Sequence, residues 1–140
     1  MKATLVLLVA ALVLVAAGCG GGGGGESEED EGGTTSIAGV AANDHGTADA
    51  TGKDELEVEL DDNYFEPTVI KGTPGSQLKL ELENEGGSEH NFSLSDQNID
   101  QDVEPGEKAD VTVTVPQSGE VSFVCKYHEQ LGMAGALAAG

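Results

Sequence analysis

The sequence predicts an all-β fold, a two-sheet Greek-key β-sandwich of about seven to eight strands, in its second half. Apolar residues there recur at every second position in several short runs, which is the pattern of strands with one buried face. Gly, Pro, Asn and Asp separate these runs and supply turns. Such strands bury their apolar faces by packing as two sheets. A small immunoglobulin-like sandwich without metal is the alternative.

Residues 1–18 are predicted to be an export signal. Lys2 provides a positive start, and the thirteen residues from Leu5 to Ala17 are apolar, which is too short a run for a comfortable membrane span. The segment Ala16-Ala17-Gly18-Cys19 resembles the lipobox of bacterial lipoproteins, although Ala16 stands where that family usually has Leu. The resemblance implies that Cys19 becomes a lipidated N-terminus, and its acyl chains would hold the protein on a membrane.

Residues 19–53 are predicted to be a disordered linker. Six glycines, Gly20–Gly25, precede an acidic block, and a Gly, Ala, Thr and Asp mixture without apolar periodicity follows. His45 lies in this segment, and we interpret it as an ordinary linker residue. The linker would let the folded domain reach partners while it stays tethered.

Residues 54–140 are predicted to form the single folded domain. Leu78, Leu80 and Leu82 alternate with polar residues, and the same alternation recurs in the other predicted strands, around 56–60, 90–94, 109–115 and 121–125. After Met133 the chain continues as Ala134-Gly-Ala-Leu-Ala-Ala-Gly140, in which nearly all residues are small. We therefore expect the last strand to be frayed or only two or three residues long.

The net charge of −20 excludes some classes of partner. The chain has six Lys+Arg against 26 Asp+Glu residues, whereas binding to nucleic-acid phosphates requires clustered cations. An acidic surface favours partners with basic docking surfaces, through steering that salt weakens. Alternatively, the charge only maintains solubility or suits a salty habitat.

The stretch Val121 to Met133 carries the candidate chemistry. It contains Cys125, His128 and Met133 in the spacing Cys-x2-His-x4-Met, and a turn after a strand can make the three side chains converge. Two imidazoles, one thiolate and a weak axial thioether form a blue-copper site. His90 is a better second imidazole than His45, because it alternates with Phe92 and Leu94 on one strand face.

Cys125 also needs a chemical explanation. An unpaired thiol in an exported protein is prone to oxidation unless something holds it, and a metal would do so. A disulfide between Cys19 and Cys125 and an inert buried thiol are the alternatives. The spacing of a zinc finger is absent, because there is no second Cys pair and no His pair.

Glu-His-Asn-Phe at residues 89–92, followed by Phe-x-Cys-x2-His-x4-Met, resembles the cupredoxins, the group that includes plastocyanin, pseudoazurin and amicyanin. The resemblance covers about residues 54 to 137. It implies one copper ion held strongly by His90, Cys125 and His128, with Met133 as the weak axial ligand. It also implies that the Asn91 side chain tethers the ligand loop, and that electrons pass through the exposed edge of His128.

The sequence therefore predicts a membrane-tethered one-electron carrier, lipid-anchored on the periplasmic or extracellular face of the cell membrane. The protein would be a monomer that exchanges electrons with a donor and an acceptor protein. We expect no enzyme activity, since four filled positions leave no place for a substrate. The alternatives are a carrier or chaperone that delivers copper ions, and a metal-free interaction module.

Overall fold

The computed structural model describes residues 33–140, and these residues form twelve strands. The predicted signal peptide, Cys19 and the Gly-rich and acidic part of the predicted linker lie outside the described residues. No helix within residues 33–140 is long and apolar enough to cross a membrane. The strands are β1 (Thr34–Ile37), β2 (Val40–Asn43), β3 (Thr47–Asp49), β4 (Glu55–Asp61), β5 (Tyr64–Glu66), β6 (Val69–Gly72), β7 (Gln77–Asn84), β8 (His90–Leu94), β9 (Ile99–Val103), β10 (Lys108–Thr114), β11 (Glu120–Val124) and β12 (Ala134–Ala139).

Two sheets face each other and confirm the predicted all-β sandwich. One has the order β10-β7-β4-β5, and the other has the order β3-β6-β12-β11-β8-β9. The strand count is higher than the predicted seven to eight, because several three- and four-residue strands gave no clear alternation in the sequence. The alternating leucines and valines of β4, β7 and β10 point into the core, and the polar residues between them are more exposed.

The predicted boundary at residue 54 is wrong, because the chain is already folded from Thr34. Strands β1 and β2 form an antiparallel hairpin, and β3 joins the edge of the larger sheet in parallel with β6. Ile37 and Ala42 of the hairpin pack against Ala134 and Ala136 of β12 in a second apolar cluster outside the main core. This segment lacks apolar periodicity because its strands are three or four residues long and bury few side chains.

The expectation of a frayed last strand is also wrong, since β12 runs for six residues and pairs with both β11 and β6. Most of its residues are small because both faces are covered. Ala134 and Ala136 meet the β1–β2 hairpin on the outer face. On the inner face, a Cβ at Gly135 would clash with the Thr68 carbonyl oxygen and lie 2.5 Å from the Phe123 ring.

We predict that Gly135→Ala lowers the free energy of unfolding by about 1–3 kcal/mol, because the added methyl overpacks a region with no free space. Urea denaturation of the two proteins measures the difference. Gly87→Ala is the matched control, since a Cβ at Gly87 meets nothing within 4 Å. Equal stability of Gly135→Ala and wild type would show that this contact between β12 and Phe123 is not tight.

Candidate metal centre

Two neighbouring strands bring His90 and Cys125 to the same end of the sandwich. His90 is the first residue of β8, and Cys125 directly follows β11, which pairs with β8 through Val124 and Ser93. Both side chains are buried, with His90 1% and Cys125 0% exposed. The rings of Phe92, two residues after His90, and Phe123, two residues before Cys125, pack with centroids 4.8 Å apart. Aromatic side chains of the core therefore pack the two strands that carry His90 and Cys125 against each other.

The loop after Cys125 returns His128 to the same place. His128 N–H donates to the Cys125 carbonyl (3.0 Å), and Met133 N–H donates to the His128 carbonyl (3.2 Å). The loop closes where Cys125 N–H donates to the Met133 carbonyl (2.9 Å). Gly132 takes a φ of +88° at the end of the short 3₁₀ turn Glu129–Leu131, a backbone conformation that glycine adopts without steric cost.

Three of the four predicted ligands present donor atoms to one point. His90 Nδ1 lies 3.2 Å from His128 Nδ1, and Cys125 Sγ lies 3.5 Å from His128 Nδ1. The donor atoms of the three residues all lie within 4.8 Å of one another. Donors that share one ion through bonds of about 2.0–2.3 Å are at most about 4.4 Å apart. The two distances to His128 Nδ1 satisfy this limit, and the separation of the His90 and Cys125 donors, at most 4.8 Å, is close to it. The arrangement fits a metal with nitrogen and sulfur preference.

The protonation state of His90 is also compatible with metal binding. Burial and the nearby His128 ring lower the pKa of His90 below its usual value, against the opposing effect of Asp62. The imidazole is therefore neutral at neutral pH, and a neutral imidazole is the form that binds a metal. Cys125 is a free, buried cysteine.

Met133, the predicted axial ligand, lies at the end of the same loop and is completely buried in the main core. Its backbone hydrogen bonds with Cys125 and His128 place its Cα beside these two residues. Its assignment as an axial thioether ligand stays a prediction.

Asn91 ties the ligand loop to the β8–β9 hairpin. Its side-chain oxygen accepts from the backbone N–H of Lys126 (3.3 Å), the residue after Cys125. Its side-chain nitrogen donates to Asp100 (2.6 Å) and Asp102 (2.8 Å) of β9. The Asn91 amide therefore bridges the two segments, and its function beside a metal site stays a prediction.

Sequence reasoning missed the ionic part of this connection. Lys126 Nζ lies 2.8 Å from Asp100 Oδ1 and 2.9 Å from Asp102 Oδ1, and the Tyr127 hydroxyl donates to Asp102 (3.1 Å). Donation from Lys126 and Asn91 holds the pKa of both carboxyls below the ordinary value. The alternation of Asp100 and Asp102 on one strand face was the available signal, but their partner is more than twenty residues away.

Asn43 is a second residue that sequence reasoning missed. Its side-chain nitrogen donates to the carbonyls of Leu131 (2.9 Å) and Asn63 (2.9 Å), and its backbone N–H donates to the Gly132 carbonyl (2.8 Å). The β1–β2 hairpin is thereby latched to the loop between His128 and Met133. No sequence signal marks this contact, because Asn43 lies in the segment that reads as a linker.

His45 lies outside the His90, Cys125 and His128 group. Its ring stacks on Tyr64, with centroids 3.5 Å apart and an interplanar angle of 11°. Gly86 lies against His90, since a Cβ there would be 2.6 Å from His90 Nε2.

Comparisons with known proteins agree with this architecture. A model of the cupredoxin-like domain matches residues 34–139. A search of curated proteins finds no match. Dithionite-reduced auracyanin of the photosynthetic bacterium Roseiflexus castenholzii has a TM-score of 0.53 at 16% identity, over 63% of this chain and 98% of that chain.

Two further solved structures are similar at the level of the fold. Auracyanin B has a TM-score of 0.52 at 20% identity, over 61% of this chain and 88% of its own. The metal-binding domain of the Cu(I)-exporting P-type ATPase of Streptococcus pneumoniae D39, solved with Cu(I), has a TM-score of 0.51 at 11% identity. The match covers 61% of this chain and 84% of that chain. At these identities the likeness shows the fold alone.

We predict that Lys126→Met raises the pKa of Asp100 and Asp102, because the variant removes the cation that stabilises both carboxylates. In the wild type, the lowered pKa values stabilise the folded state above the ordinary carboxyl pKa of 3.8. This stabilisation is lost as the pH falls through the folded-state values. The unfolding free energy of Lys126→Met should therefore depend less steeply on pH between about 5 and 2.

Urea denaturation at several pH values measures this slope. Lys108→Met is the matched control, since it removes the same charge from a pair with Glu83 on the opposite sheet. Identical slopes for wild type and Lys126→Met would contradict the assignment of the lowered pKa values to Lys126.

Proposed function

Because the chain belongs to the cupredoxin-like domain family, we propose that it is a type 1 copper protein that carries one electron at a time. The observation that carries this proposal is the convergence of His90 Nδ1, His128 Nδ1 and Cys125 Sγ, with His90 and Cys125 buried and His128 partly exposed. We assign these residues as the strong ligands and Met133 as the axial one. One copper ion per chain would be the cofactor.

The donor set suits both oxidation states of copper. A thiolate and a thioether favour Cu(I), and imidazole binds both Cu(I) and Cu(II). Bound copper would supply a one-electron couple. The residues contribute a fixed set of donors, because backbone hydrogen bonds hold both ends of the Cys125–Met133 loop. A site that moves little between oxidation states exchanges electrons rapidly.

The surroundings favour electron transfer over catalysis. Cys125, His90 and Met133 are all less than 2% exposed, so these three donors leave no open route for a substrate. We therefore propose that the protein is not an enzyme. This rests on the donor set and its burial and not on the fold, since one fold serves many functions.

The exposed entry point would be beside His128. Leu131 is 60% and Tyr127 48% exposed, and both flank His128 along the chain. We propose that donor and acceptor proteins with basic docking surfaces contact this patch, and that the net charge of −20 steers them. Monomeric behaviour and absence of nucleic-acid binding belong to the same proposal.

The N-terminal sequence suggests where the carrier works. The apolar run before Cys19, with its resemblance to a lipobox, supports export and lipid attachment. The linker, shortened by the corrected boundary to about residues 19–33, would tether the domain to the outer face of the cell membrane.

A copper-delivery function is the second candidate. The fold-level likeness to a metal-binding domain solved with Cu(I) is the observation that favours this candidate. A delivery protein would release copper readily and show no reversible reduction in a useful range. A metal-free interaction module is disfavoured, because the convergence of two imidazoles and a thiol has no other explanation in the fold.

We predict that the full-length protein, purified in detergent, develops an intense blue absorption band when titrated with Cu(II). The band arises from thiolate bound to Cu(II), and it should saturate at one equivalent and bleach reversibly with reductant. Cys125→Ser is the control and should lack the band, because it removes the thiolate. A pale band, or none, in the wild type would contradict the electron-carrier proposal and favour copper delivery or a metal-free module.

We predict that Leu131→Lys slows electron exchange with a redox partner without bleaching the blue band. The new lysine would be buried when the partner docks, and its charge would weaken the apolar contact between the two proteins. Stopped-flow reduction by a basic electron-transfer protein measures the rate. Ser118→Lys adds the same charge in an exposed turn before β11, at the opposite end of that strand from Cys125. Equal rates for the two variants would exclude Leu131 from the docking surface.

A further inference from the structure

His90 carries the one buried side-chain nitrogen or oxygen without a hydrogen-bond partner within residues 33–140, its Nε2. Its Nδ1 faces His128 and the candidate metal position. A histidine that binds metal through Nδ1 carries its proton on Nε2, so this atom is a buried donor. Leaving such a donor unsatisfied costs about 1–3 kcal/mol.

The nearest charged atom is a carboxylate oxygen. Asp62 Oδ1 lies 3.8 Å from His90 Nε2, on the turn between β4 and β5. Two backbone contacts hold this turn residue, since Asp62 Oδ1 accepts from Gly87 N–H (3.2 Å) and Asp62 N–H donates to Asp61 (2.6 Å). The carboxylate is thus positioned towards the His90 ring although its side chain is 67% exposed.

Gly86 keeps the space between these two groups open. A Cβ at this position would lie 2.6 Å from His90 Nε2 and 3.0 Å from Asp62 Oδ1. Any other residue would therefore separate the ring from the carboxylate. The glycine, the orphaned nitrogen and the carboxylate are three independent features that point to one interaction.

We propose that Asp62 is the hydrogen-bond acceptor for His90 Nε2–H and acts as a positioning residue for the copper site. The inference rests on the proposed function. The exposed side chain closes the 3.8 Å separation by rotating, or one water molecule bridges it. In either case Asp62 fixes the tautomer that leaves Nδ1 free for metal, and it orients the ring.

The interaction also changes the electronic character of the ligand. A carboxylate that accepts the distal N–H makes an imidazole more basic, and such outer partners change metal affinity by about 10–100-fold. A more basic ligand favours Cu(II) over Cu(I). Asp62 should therefore lower the reduction potential of the site.

The test is the reduction potential of the copper-loaded full-length protein, measured by voltammetry in wild type and Asp62→Asn. The substitution keeps the size of the side chain and an oxygen for Gly87 N–H, but it removes the negative charge. We expect the ratio of Cu(II) to Cu(I) affinity to fall about tenfold, which raises the potential of a one-electron couple by about 59 mV.

Asp61→Asn is the matched control, because it removes the same charge from the adjacent residue, whose carboxylate bonds to the Tyr64 hydroxyl instead of His90. A second readout is the solvent exchange of His90 Nε2–H in the diamagnetic Cu(I) protein, followed by NMR. Exchange should be faster in Asp62→Ala than in wild type.

An unchanged potential in Asp62→Asn, or an equal shift in Asp61→Asn, would overturn the assignment. If the wild-type protein has the blue band and is reduced reversibly, either result leaves the proposed function standing. A wild type without a blue band would refute the copper proposal, and this inference with it.

Discussion

The structure depends on the antiparallel pairing of β11 with β12, which holds the two ends of the Cys125–Met133 loop together. The hydrogen bond from Cys125 N–H to the Met133 carbonyl closes this loop at 2.9 Å, and His128 is folded back inside it. The chain between two paired strands has little freedom, so the loop holds His128 Nδ1 3.5 Å from Cys125 Sγ. The neighbouring strand β8 adds His90 from outside the loop.

Three outer contacts hold this loop from different directions. Asn91 binds the Lys126 N–H from β8, Lys126 itself bridges Asp100 and Asp102 of β9, and Asn43 binds Leu131 and Gly132 from the N-terminal hairpin. The contacts differ in their physics. The Lys126 bridge is exposed and therefore weakened by salt and acid, whereas the buried Asn91 amide is costly to leave unpaired. The surface charges thus reinforce the loop, and the buried amide defines its position.

The N-terminal hairpin gives residues 34–43, which the sequence predicted to be part of a linker, a structural role. The outer face of β12 would otherwise expose Ala134 and Ala136, and the hairpin covers them with Ile37 and Ala42. The same hairpin places Asn43 on the ligand loop. Because β12 is covered on both faces, small residues fit at Ala134, Gly135 and Ala136, and the sequence there lacks the apolar alternation of a typical strand.

The sequence by itself determined the sandwich class, the inward direction of His90 and Cys125, and the grouping of Cys125, His128 and Met133, because alternation and local spacing are properties of short segments. The tertiary structure decided what long-range contacts create. It folded residues 34–53, completed β12, joined Lys126 to Asp100 and Asp102, and placed Asp62 beside His90. None of these follows from a local pattern, since each depends on segments that meet only when the two sheets pack.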